Sequence, residues 1–335
     1  MQKVLLIGGT GAMGVYLAPL LVDMGYQVDV LSLDEVASIH PALRYIQGDG
    51  MDMAFMQELL KNNYDGIVDF LIYKTEAFRA RYQMLLEATR HYIFLSSYRV
   101  YAGECPVTED SPQLLDVSDN EQYLATEDYS LIKARGEDIL EASGYKNWTV
   151  VRPAITYSKL RYQLVTLEAN VVITRARKGK TVVLPQSARH VQATMTWAGD
   201  VAQMLARLLL NEKALCRHYT LATAEHQSWE TIAGYYEELT GLKVIWVDDD
   251  DYVRIVASSP DKFLPYKWQL EYDRLFERVI DNSRVLADTG LMQSEITSLY
   301  DGLRRELEQL PADAAWTDAS DINGRMDAYL MQIEQ

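Results

Sequence analysis

Cysteine and histidine are scarce in this chain. Two cysteines, Cys105 and Cys216, occur in 335 residues and form no CxxC pair, which excludes a disulfide framework and a thiolate zinc site. The 5 histidines show neither an HExxH motif nor close pairs, so the sequence predicts no metal site. With so few thiols we expect a reducing compartment, the cytoplasm.

Runs of basic residues are also missing. The chain has 32 lysines and arginines against 48 aspartates and glutamates, which gives a formal net charge of −16. A charge of this sign repels nucleic-acid phosphates and anionic lipids unless basic residues are segregated on one face. Nucleic acid is therefore a disfavoured partner.

No long hydrophobic run occurs either. Residues 4–22 carry no charge, but glycines at 8, 9, 11 and 14 interrupt this stretch, whereas a membrane-spanning helix needs about 20 predominantly apolar residues in succession. No small-residue cleavage site precedes Asp23, as a signal peptide would require. We therefore predict neither a targeting peptide nor a membrane partner.

What the sequence does contain is an alternation of short apolar runs with helical patterns. Parallel strands that are buried on both faces appear as continuous apolar runs, and each needs a crossover connection to the next. The runs predicted as strands are 4–7, 28–31, 45–46, 66–71, 92–95 and 148–151. The predicted fold class is therefore α/β: a Rossmann-like, doubly wound parallel sheet, with a smaller, discontinuous C-terminal substrate domain.

A glycine-rich loop lies between the first predicted strand and the helix after it. Such glycines allow a tight turn and a close approach of the backbone to a pyrophosphate, and the helix N-terminus offers free N–H groups and a positive dipole. We therefore predict that this loop binds a dinucleotide cofactor. Its candidate residues are Gly8, Thr10, Gly11, Ala12, Met13 and Gly14.

The choice between NAD and NADP depends on the end of the second strand. Ser32 stands where an acidic residue usually binds the adenosine ribose, and Asp34 follows two residues later. Residues 4–43 contain no lysine or arginine to receive a 2′-phosphate. NAD is therefore favoured over NADP. Asp49 and Gly50, directly after the third strand, are further candidates for contact with the cofactor, on its adenine side.

The sequence pattern changes after residue 153, where the parallel alternation ends. The predicted dinucleotide-binding domain is 1–155 with a return segment near 193–220, the substrate-binding region is 156–192 and 221–310, and a C-terminal helical tail is 311–335. Within the second half, the spacing predicts a helix over 164–178, a strand over 181–184 and a helix over 201–210.

Tyr129 and Lys133 lie four residues apart in a helical pattern, so their side chains share one helix face. A lysine cation lowers the pKa of a neighbouring phenol from its usual value of about 10. Such a phenol can transfer a proton for an alcohol that undergoes hydride transfer. Ser97, at the end of the fifth predicted strand, is placed to hydrogen-bond the reacting oxygen. These three residues are the predicted catalytic set.

The glycine loop, the strand-end serine and the Tyr/Lys pair occur in the order found in the short-chain dehydrogenase/reductase superfamily. The sequence resembles its extended branch, the NAD-dependent epimerase/dehydratase family, over most of residues 1–310. The resemblance implies that Tyr129 is the acid/base, that Lys133 holds the nicotinamide ribose and that Ser97 orients the substrate carbonyl or hydroxyl. It also implies a homodimer formed through the Tyr129 helix. Further cofactor contacts expected in this family fall on Tyr129 itself and on Phe70, Leu71 and Pro153.

Departures from the family pattern concern the substrate. Sugar-nucleotide 4,6-dehydratases carry an Asp-Glu pair directly after the catalytic Ser or Thr, where this chain has Tyr98-Arg99, so the dehydratase subtype is disfavoured. The arginine that nucleotide-sugar epimerases bring to the substrate diphosphate is missing from 193–197. The candidate substrate residues are therefore Tyr98, Arg99, Arg161 and His190.

The predicted function is that of an NAD(P)-dependent epimerase or oxidoreductase acting on a hydroxyl or carbonyl of a small molecule, in the first instance a sugar derivative. One alternative is an NAD(P)H-dependent carbonyl reductase, which would release oxidised cofactor at each turnover. Another is a non-catalytic dinucleotide-binding regulatory or RNA-associated protein. The complete Ser97, Tyr129 and Lys133 set and the acidic net charge both argue against this last alternative.

Overall fold

The computed structural model describes residues 1–38, 40–257 and 259–333. The strands are β1 (Lys3–Ile7), β2 (Gln27–Ser32), β3 (Leu43–Gln47), β4 (Tyr64–Asp69), β5 (Thr89–Leu95), β6 (Trp148–Pro153), β7 (Ile155–Tyr157), β8 (Gln163–Leu164), β9 (Leu167–Glu168), β10 (Thr181–Pro185), β11 (Gln192–Ala193), β12 (Met195–Trp197), β13 (Arg217–Leu221), β14 (Gln227–Ser228) and β15 (Lys243–Val247). The helices are α1 (Gly14–Asp23), α2 (Met53–Leu60), α3 (Thr75–Arg79), α4 (Tyr82–Glu87), α5 (Leu114–Val117), α6 (Glu121–Leu124), α7 (Tyr129–Ala142), α8 (Ala169–Arg177), α9 (Ala198–Leu208), α10 (Trp229–Thr240), α11 (Asp249–Val256), α12 (Pro260–Gln269), α13 (Ser283–Thr289), α14 (Leu299–Glu308) and α15 (Ser320–Ile333).

A parallel sheet forms the centre of the molecule. Within the described ranges it has seven strands in the order β13-β6-β5-β4-β1-β2-β3, and each neighbouring pair is parallel. Val4 and Leu6 pack with α1 and α9 on one face, whereas Leu5 and Ile7 pack with α2 and α7 on the other. The predicted Rossmann-like, doubly wound α/β fold is confirmed.

The strand predictions locate the first six strands of this sheet, although several predicted boundaries differ from the observed ones by one to three residues. The run 66–71 was displaced by two residues toward the C-terminus, because β4 spans Tyr64–Asp69. The buried carboxylate of Asp69 accepts a hydrogen bond from the Leu71 N–H at 3.0 Å, which turns the chain away from the sheet. Residues 70 and 71 are therefore free to approach the glycine loop.

The helix predicted over 164–178 begins too early. Residues 163–168 form a short antiparallel hairpin of β8 and β9, and Val165 at its turn has a positive φ of 54°, a conformation that a helix does not contain. The helix α8 starts only at Ala169. This hairpin lies over the carboxyl ends of the central strands, beside the site described below.

The chain after β6 builds a second apolar cluster and then returns to the sheet. α8, α10 and α11 pack around the parallel pair of β10 and β15. The helix predicted over 201–210 is present as α9, which packs against α1. The strand β13 then joins β6 at the edge of the large sheet. Segments far apart in sequence therefore complete the central sheet and cover α1.

The C-terminal helix α15 docks on its own chain. Met326 is fully buried in the second apolar cluster, and Arg175 of α8 donates to Asp327 Oδ1 at 2.7 Å. Across the described ranges of the chain, no helix combines the length and apolar character needed to cross a membrane.

Candidate active site

The glycine-rich loop joins β1 to α1, and its shape depends on two of its glycines. Gly8 has a backbone φ of +74°, a left-handed conformation that residues with a Cβ disfavour. A Cβ on Gly14 would lie 2.1 Å from the carbonyl oxygen of Gly9, so the first turn of α1 packs directly on the loop backbone. Gly11 and Ala12 complete the loop. This cradle without side-chain bulk, at a helix N-terminus, fits a pyrophosphate.

Thr10 connects the loop to the end of β2. Its hydroxyl lies 2.7 Å from the Ser32 hydroxyl and donates to Asp34 Oδ2 at 2.7 Å. The Asp34 N–H donates to the Ser32 hydroxyl at 3.1 Å, so both residues are held beside the glycine loop. Asp34 is exposed, and a carboxylate has about four acceptor positions. It therefore retains capacity for ribose hydroxyls.

Phe70 and Leu71 lie against the same loop. A Cβ on Gly8 would lie 3.0 Å from Leu71 Cδ2 and 3.7 Å from Phe70 Cβ. The Phe70 N–H donates to the carbonyl oxygen of Ile7 at 2.9 Å. The chain after β4 is thus held in contact with the loop at the cofactor side of the sheet.

The loop after β3 contains Asp49 and Gly50, and Arg81 fixes its position. Asp49 Oδ1 accepts a hydrogen bond from the Met51 N–H at 2.8 Å. The buried guanidinium of Arg81 donates to the Gly50 carbonyl oxygen at 2.9 Å and to the Met51 carbonyl oxygen at 3.3 Å. Sequence reasoning missed Arg81, because a contact across 31 residues leaves no local pattern.

Lys133 lies one turn after Tyr129 on α7 and is buried. Its Nζ donates to the carbonyl oxygen of Leu95 at 2.6 Å and to that of Leu71 at 3.2 Å. Burial lowers the pKa of Lys133 to about 8, against the opposing effect of the nearby Asp69 and Glu137 carboxylates. The ammonium group is therefore fixed between the ends of β4 and β5, 5.8 Å from the centre of the Tyr129 ring.

The expected lowering of the Tyr129 pKa by Lys133 is wrong. Burial raises the pKa of Tyr129 above its usual value, and the groups that oppose this rise are the Arg161 and Arg99 cations and the Ser97 hydroxyl. The spacing of Tyr129 and Lys133 places both on one helix face, but it contains no information about burial or about arginines from other segments. The arginines therefore contribute to the electrostatics at the phenol.

A cavity of about 460 Å³ opens beside these groups at the carboxyl ends of the strands. The predicted residues that line it are Met13, Ser97, Tyr98, Arg99, Tyr129, Pro153 and Arg161. Polar residues that sequence reasoning missed also line it, namely Gln163, Glu168, Gln269 and Arg274. They come from the hairpin and from α12 and its C-terminal extension, and no motif marks them.

His190 is not part of this cavity, which corrects its assignment as a substrate residue. Its side chain is 76% exposed, and its Nδ1 lies 3.4 Å from Glu230 Oε2. The loop that carries it packs against the start of α10, where the Glu230 N–H donates to the Arg189 carbonyl oxygen at 2.9 Å. Tyr98 does line the cavity, but its hydroxyl accepts a hydrogen bond from Arg274 Nη1 at 2.7 Å, so it forms part of the wall.

Among the residues that the structure describes, no three or more His, Cys, Asp or Glu side chains are grouped so that they could hold a metal ion. Ser97, Tyr129 and the Arg99, Arg161 and Arg274 cations are among the polar groups that line the cavity.

Two curated proteins are similar to parts of this chain. The chloroplast stem-loop binding protein of 41 kDa b of Arabidopsis thaliana is 23% identical over 250 residues, which are 69% of this chain and 61% of that protein. The UDP-glucose 4-epimerase of Streptococcus mutans is 27% identical over 137 residues, which are 33% of this chain and 41% of that protein. The chain thus covers less than two thirds of the length of either relative.

Solved structures share the fold. The dTDP-glucose 4,6-dehydratase of Bacillus anthracis, in complex with NAD, superimposes with a TM-score of 0.68 over 92% of this chain and 96% of its own, at 16% identity. The sequence profile of the NAD dependent epimerase/dehydratase family matches residues 4–222, from β1 to the end of β13. That match includes the glycine loop, Ser97, Tyr129 and Lys133. The chain therefore belongs to the NAD dependent epimerase/dehydratase family.

Proposed function

We propose that the protein is an NAD(P)-dependent epimerase or oxidoreductase that acts on a hydroxyl or carbonyl of a small molecule, a sugar derivative, with Tyr129 as the acid/base. The observation that carries this proposal is that Met13 of the glycine loop, Ser97 and Tyr129 line one cavity. Lys133 is fixed close to the phenol. A dinucleotide on the loop and a substrate in the cavity would meet beside Tyr129.

In this mechanism the residues of the chain control the proton and the substrate oxygen. A bound nicotinamide dinucleotide supplies the hydride acceptor and donor. The Ser97 hydroxyl donates a hydrogen bond to the substrate oxygen. Tyr129 Oη takes the proton of the alcohol during oxidation and returns it during reduction. The Leu71 and Leu95 carbonyl oxygens hold the Lys133 ammonium group near the phenol, where it would bind the nicotinamide ribose.

The cavity supports a small-molecule epimerase or oxidoreductase better than a 4,6-dehydratase. Its volume of about 460 Å³ suits a small-molecule ligand, and the Streptococcus mutans relative is a UDP-glucose 4-epimerase by name. The residues after Ser97 are Tyr98, whose hydroxyl is bound by Arg274, and Arg99. An arginine stays protonated in proteins, so Arg99 cannot act as the base that water elimination needs.

Mass spectrometry of the nucleotide released from freshly purified, denatured protein tests this proposal without a choice of substrate. We expect stoichiometric NAD, because an enzyme that oxidises and reduces the same substrate retains its cofactor. Protein that is empty but binds added NADH or NADPH would favour the carbonyl reductase instead. Protein that neither carries nor binds a nicotinamide dinucleotide would contradict both.

The preference for NAD over NADP rests on Asp34. Asp34→Ala should weaken NAD binding about 10- to 100-fold, the effect of losing charge-assisted hydrogen bonds to the ribose, while NADP binding stays constant or improves. Titration of the full chain with each dinucleotide measures the effect. Glu35→Ala is the matched control, since Glu35 is also exposed on the same loop and should leave both affinities unchanged. Equal affinity of the unaltered protein for NAD and NADP would contradict the preference.

An RNA-associated binding protein is a second candidate function. The Arabidopsis relative supports it, because that protein is a stem-loop binding protein by name. The net charge of −16 opposes it, since RNA binding depends on basic surface that neutralises phosphates. A protein that only binds RNA would also have no use for the proposed acid/base Tyr129.

A homodimer and a cytoplasmic location stay predictions. Within its own chain α7 buries most of its side chains, and the residues that it exposes include Asp138 and Glu141. A symmetric contact between two copies of α7 would therefore bring acidic side chains together, which is unfavourable unless basic residues of another element meet them.

A further inference from the structure

Three arginines surround one buried carboxylate behind the cavity. Asp273 is completely buried, and its carboxylate lies 3.4 Å from Arg99 Nε and 3.5 Å from Arg278 Nη2, and also contacts Arg274 Nη1. With Asp128, which lies 3.7 Å from Arg99 Nη2, two carboxylates face three arginines. Buried charges are normally paired, so this cluster has one positive charge in excess at the cavity wall.

Two of these arginines have structural partners. Arg274 Nε donates to the Val165 carbonyl oxygen at 2.7 Å, and its Nη1 donates to the Tyr98 hydroxyl at 2.7 Å. Arg278 donates to the carbonyl oxygens of Tyr101 and Ala102, each at 3.2 Å. Both guanidinium groups are therefore held in the wall by backbone and side-chain acceptors.

Arg99 differs from the other two. Across the described residues, its guanidinium donates no hydrogen bond, and its buried Nε has no partner. Its contacts with Asp273 at 3.4 Å and Asp128 at 3.7 Å are ion pairs without hydrogen-bond geometry. Because Asp273 is already bonded by Arg274, Arg99 is not needed to neutralise it. Its N–H groups remain available to a ligand in the cavity.

The position of Arg99 is beside the reacting groups. Its backbone N–H donates to the Ser97 hydroxyl at 3.2 Å, and its guanidinium carbon lies 5.4 Å from the centre of the Tyr129 ring. Arg161 adds a second cation to the cavity lining, and its only ion pair among the described residues is with Glu168 at 3.6 Å. An anion held here would lie within a few bonds of the carbon that reacts at Tyr129.

Gln163 contributes an unpaired hydrogen-bond acceptor, whereas Arg99 contributes unpaired donors. It is buried and lines the cavity, and its Nε2 donates to Glu168, but its Oε1 has no partner among the described residues. A buried carbonyl oxygen without a donor is unfavourable. A hydroxyl group of a ligand would satisfy it.

We propose, on the basis of the function above, that the substrate carries a carboxylate or phosphate close to its reacting carbinol, bound by Arg99 with the support of Arg161, and a hydroxyl that donates to Gln163. Guanidinium groups bind both anions through paired N–H donors.

The test uses the full chain saturated with NAD and three sugar probes: D-glucose, D-glucuronate and D-glucose 6-phosphate. Calorimetry or ligand-detected NMR measures their dissociation constants. We expect one anionic sugar to bind at least about tenfold more tightly than glucose, as a charged hydrogen bond would give. The anionic sugar that binds tightly distinguishes a carboxylate site from a phosphate site.

Substitutions test whether Arg99 causes the preference for an anionic sugar over glucose. Arg99→Gln should abolish the preference for the anion with NAD binding and melting temperature unchanged, and Arg99→Lys should retain part of it. Arg90→Gln, which removes an exposed arginine whose one ion pair among the described residues is with Asp65, is the matched control and should behave as the unaltered protein. Failure to bind NAD would contradict the proposed function itself. Normal NAD binding with no preference for either anionic sugar, or a preference that survives in Arg99→Gln, would overturn the anion site alone.

Discussion

Tyr129→Phe should lower turnover about 10²- to 10⁴-fold, the range that a single general acid/base supplies, and leave dinucleotide affinity unchanged. The phenylalanine ring keeps the packing of the cavity wall and loses only the hydroxyl that exchanges the proton. The loop residues that hold the cofactor are not altered. Steady-state rates and dinucleotide titration, each on the full chain, give the two quantities.

The proposed role of Tyr129 also predicts how the reaction rate changes with pH. Burial raises the pKa of Tyr129, so the phenolate that accepts a proton is a minor form near neutral pH. The rate of alcohol oxidation should therefore rise as the pH rises toward that pKa, whereas carbonyl reduction, which needs the protonated phenol, should fall above it. Tyr129→Phe should lose both dependences.

A second tyrosine serves as the control. Tyr300→Phe removes an exposed hydroxyl that donates to Glu238 at 2.6 Å, far from the cavity lining, and should leave turnover and its pH profile as they are. Unchanged turnover in Tyr129→Phe would show that another group carries the proton. Absence of any turnover in the unaltered protein, with dinucleotide binding retained, would favour the binding-protein alternative.

Glu137→Ala should destabilise the fold by about 3–5 kcal/mol, because it leaves a buried charge without its partner. Arg152 and Glu137 are both buried, and Arg152 Nε lies 3.1 Å from Glu137 Oε1 and 3.2 Å from Oε2. The pair joins α7 to β6, one helical turn after Lys133. Urea unfolding of the cofactor-free protein measures the loss as a lower midpoint.

Two further variants separate charge from packing. The double variant Glu137→Leu with Arg152→Met should recover much of the loss, since apolar residues of similar volume can replace a buried ion pair. Asp301→Ala breaks the exposed pair with Arg304, whose N···O distance is 3.0 Å, and should have a far smaller effect, because exposed ion pairs are screened. A Glu137→Ala midpoint equal to that of Asp301→Ala would contradict the assigned role of the pair.

The central sheet was predictable because parallel, doubly buried strands need continuous apolar residues. The run of four at 4–7 and the glycines that follow it leave few alternatives. β13 was not predicted as a strand, since Arg217–Leu221 includes charged and polar residues at an edge of the sheet. The hairpin of β8 and β9 was mistaken for helix because its apolar spacing fits both structures, and only the positive φ of Val165 decides between them.

The candidate site likewise contains some residues that were predictable from the sequence and others that were not. Sequence order and spacing located the glycine loop, Ser97, Tyr129 and Lys133, since these residues lie at strand ends and on one helix face. The arginine cluster could not be found, because Arg99 and Asp273 come together only through the tertiary fold. The direction of the Tyr129 pKa was wrong for the same reason, since burial is a property of the assembled cavity.

The strand β13 joins the central sheet only after about two thirds of the chain. The protein therefore cannot be cut into two consecutive fragments without loss of contacts in the sheet. A fragment that ended at residue 155 would leave β6 with an unpaired edge where β13 now lies, and would uncover the apolar side of α1 that α9 covers. Exposed edges and apolar faces of this kind promote aggregation. Residues 1–155 alone are therefore not a stable unit. A relative that retained only these residues would need other residues to cover the free edge of β6 and the apolar side of α1.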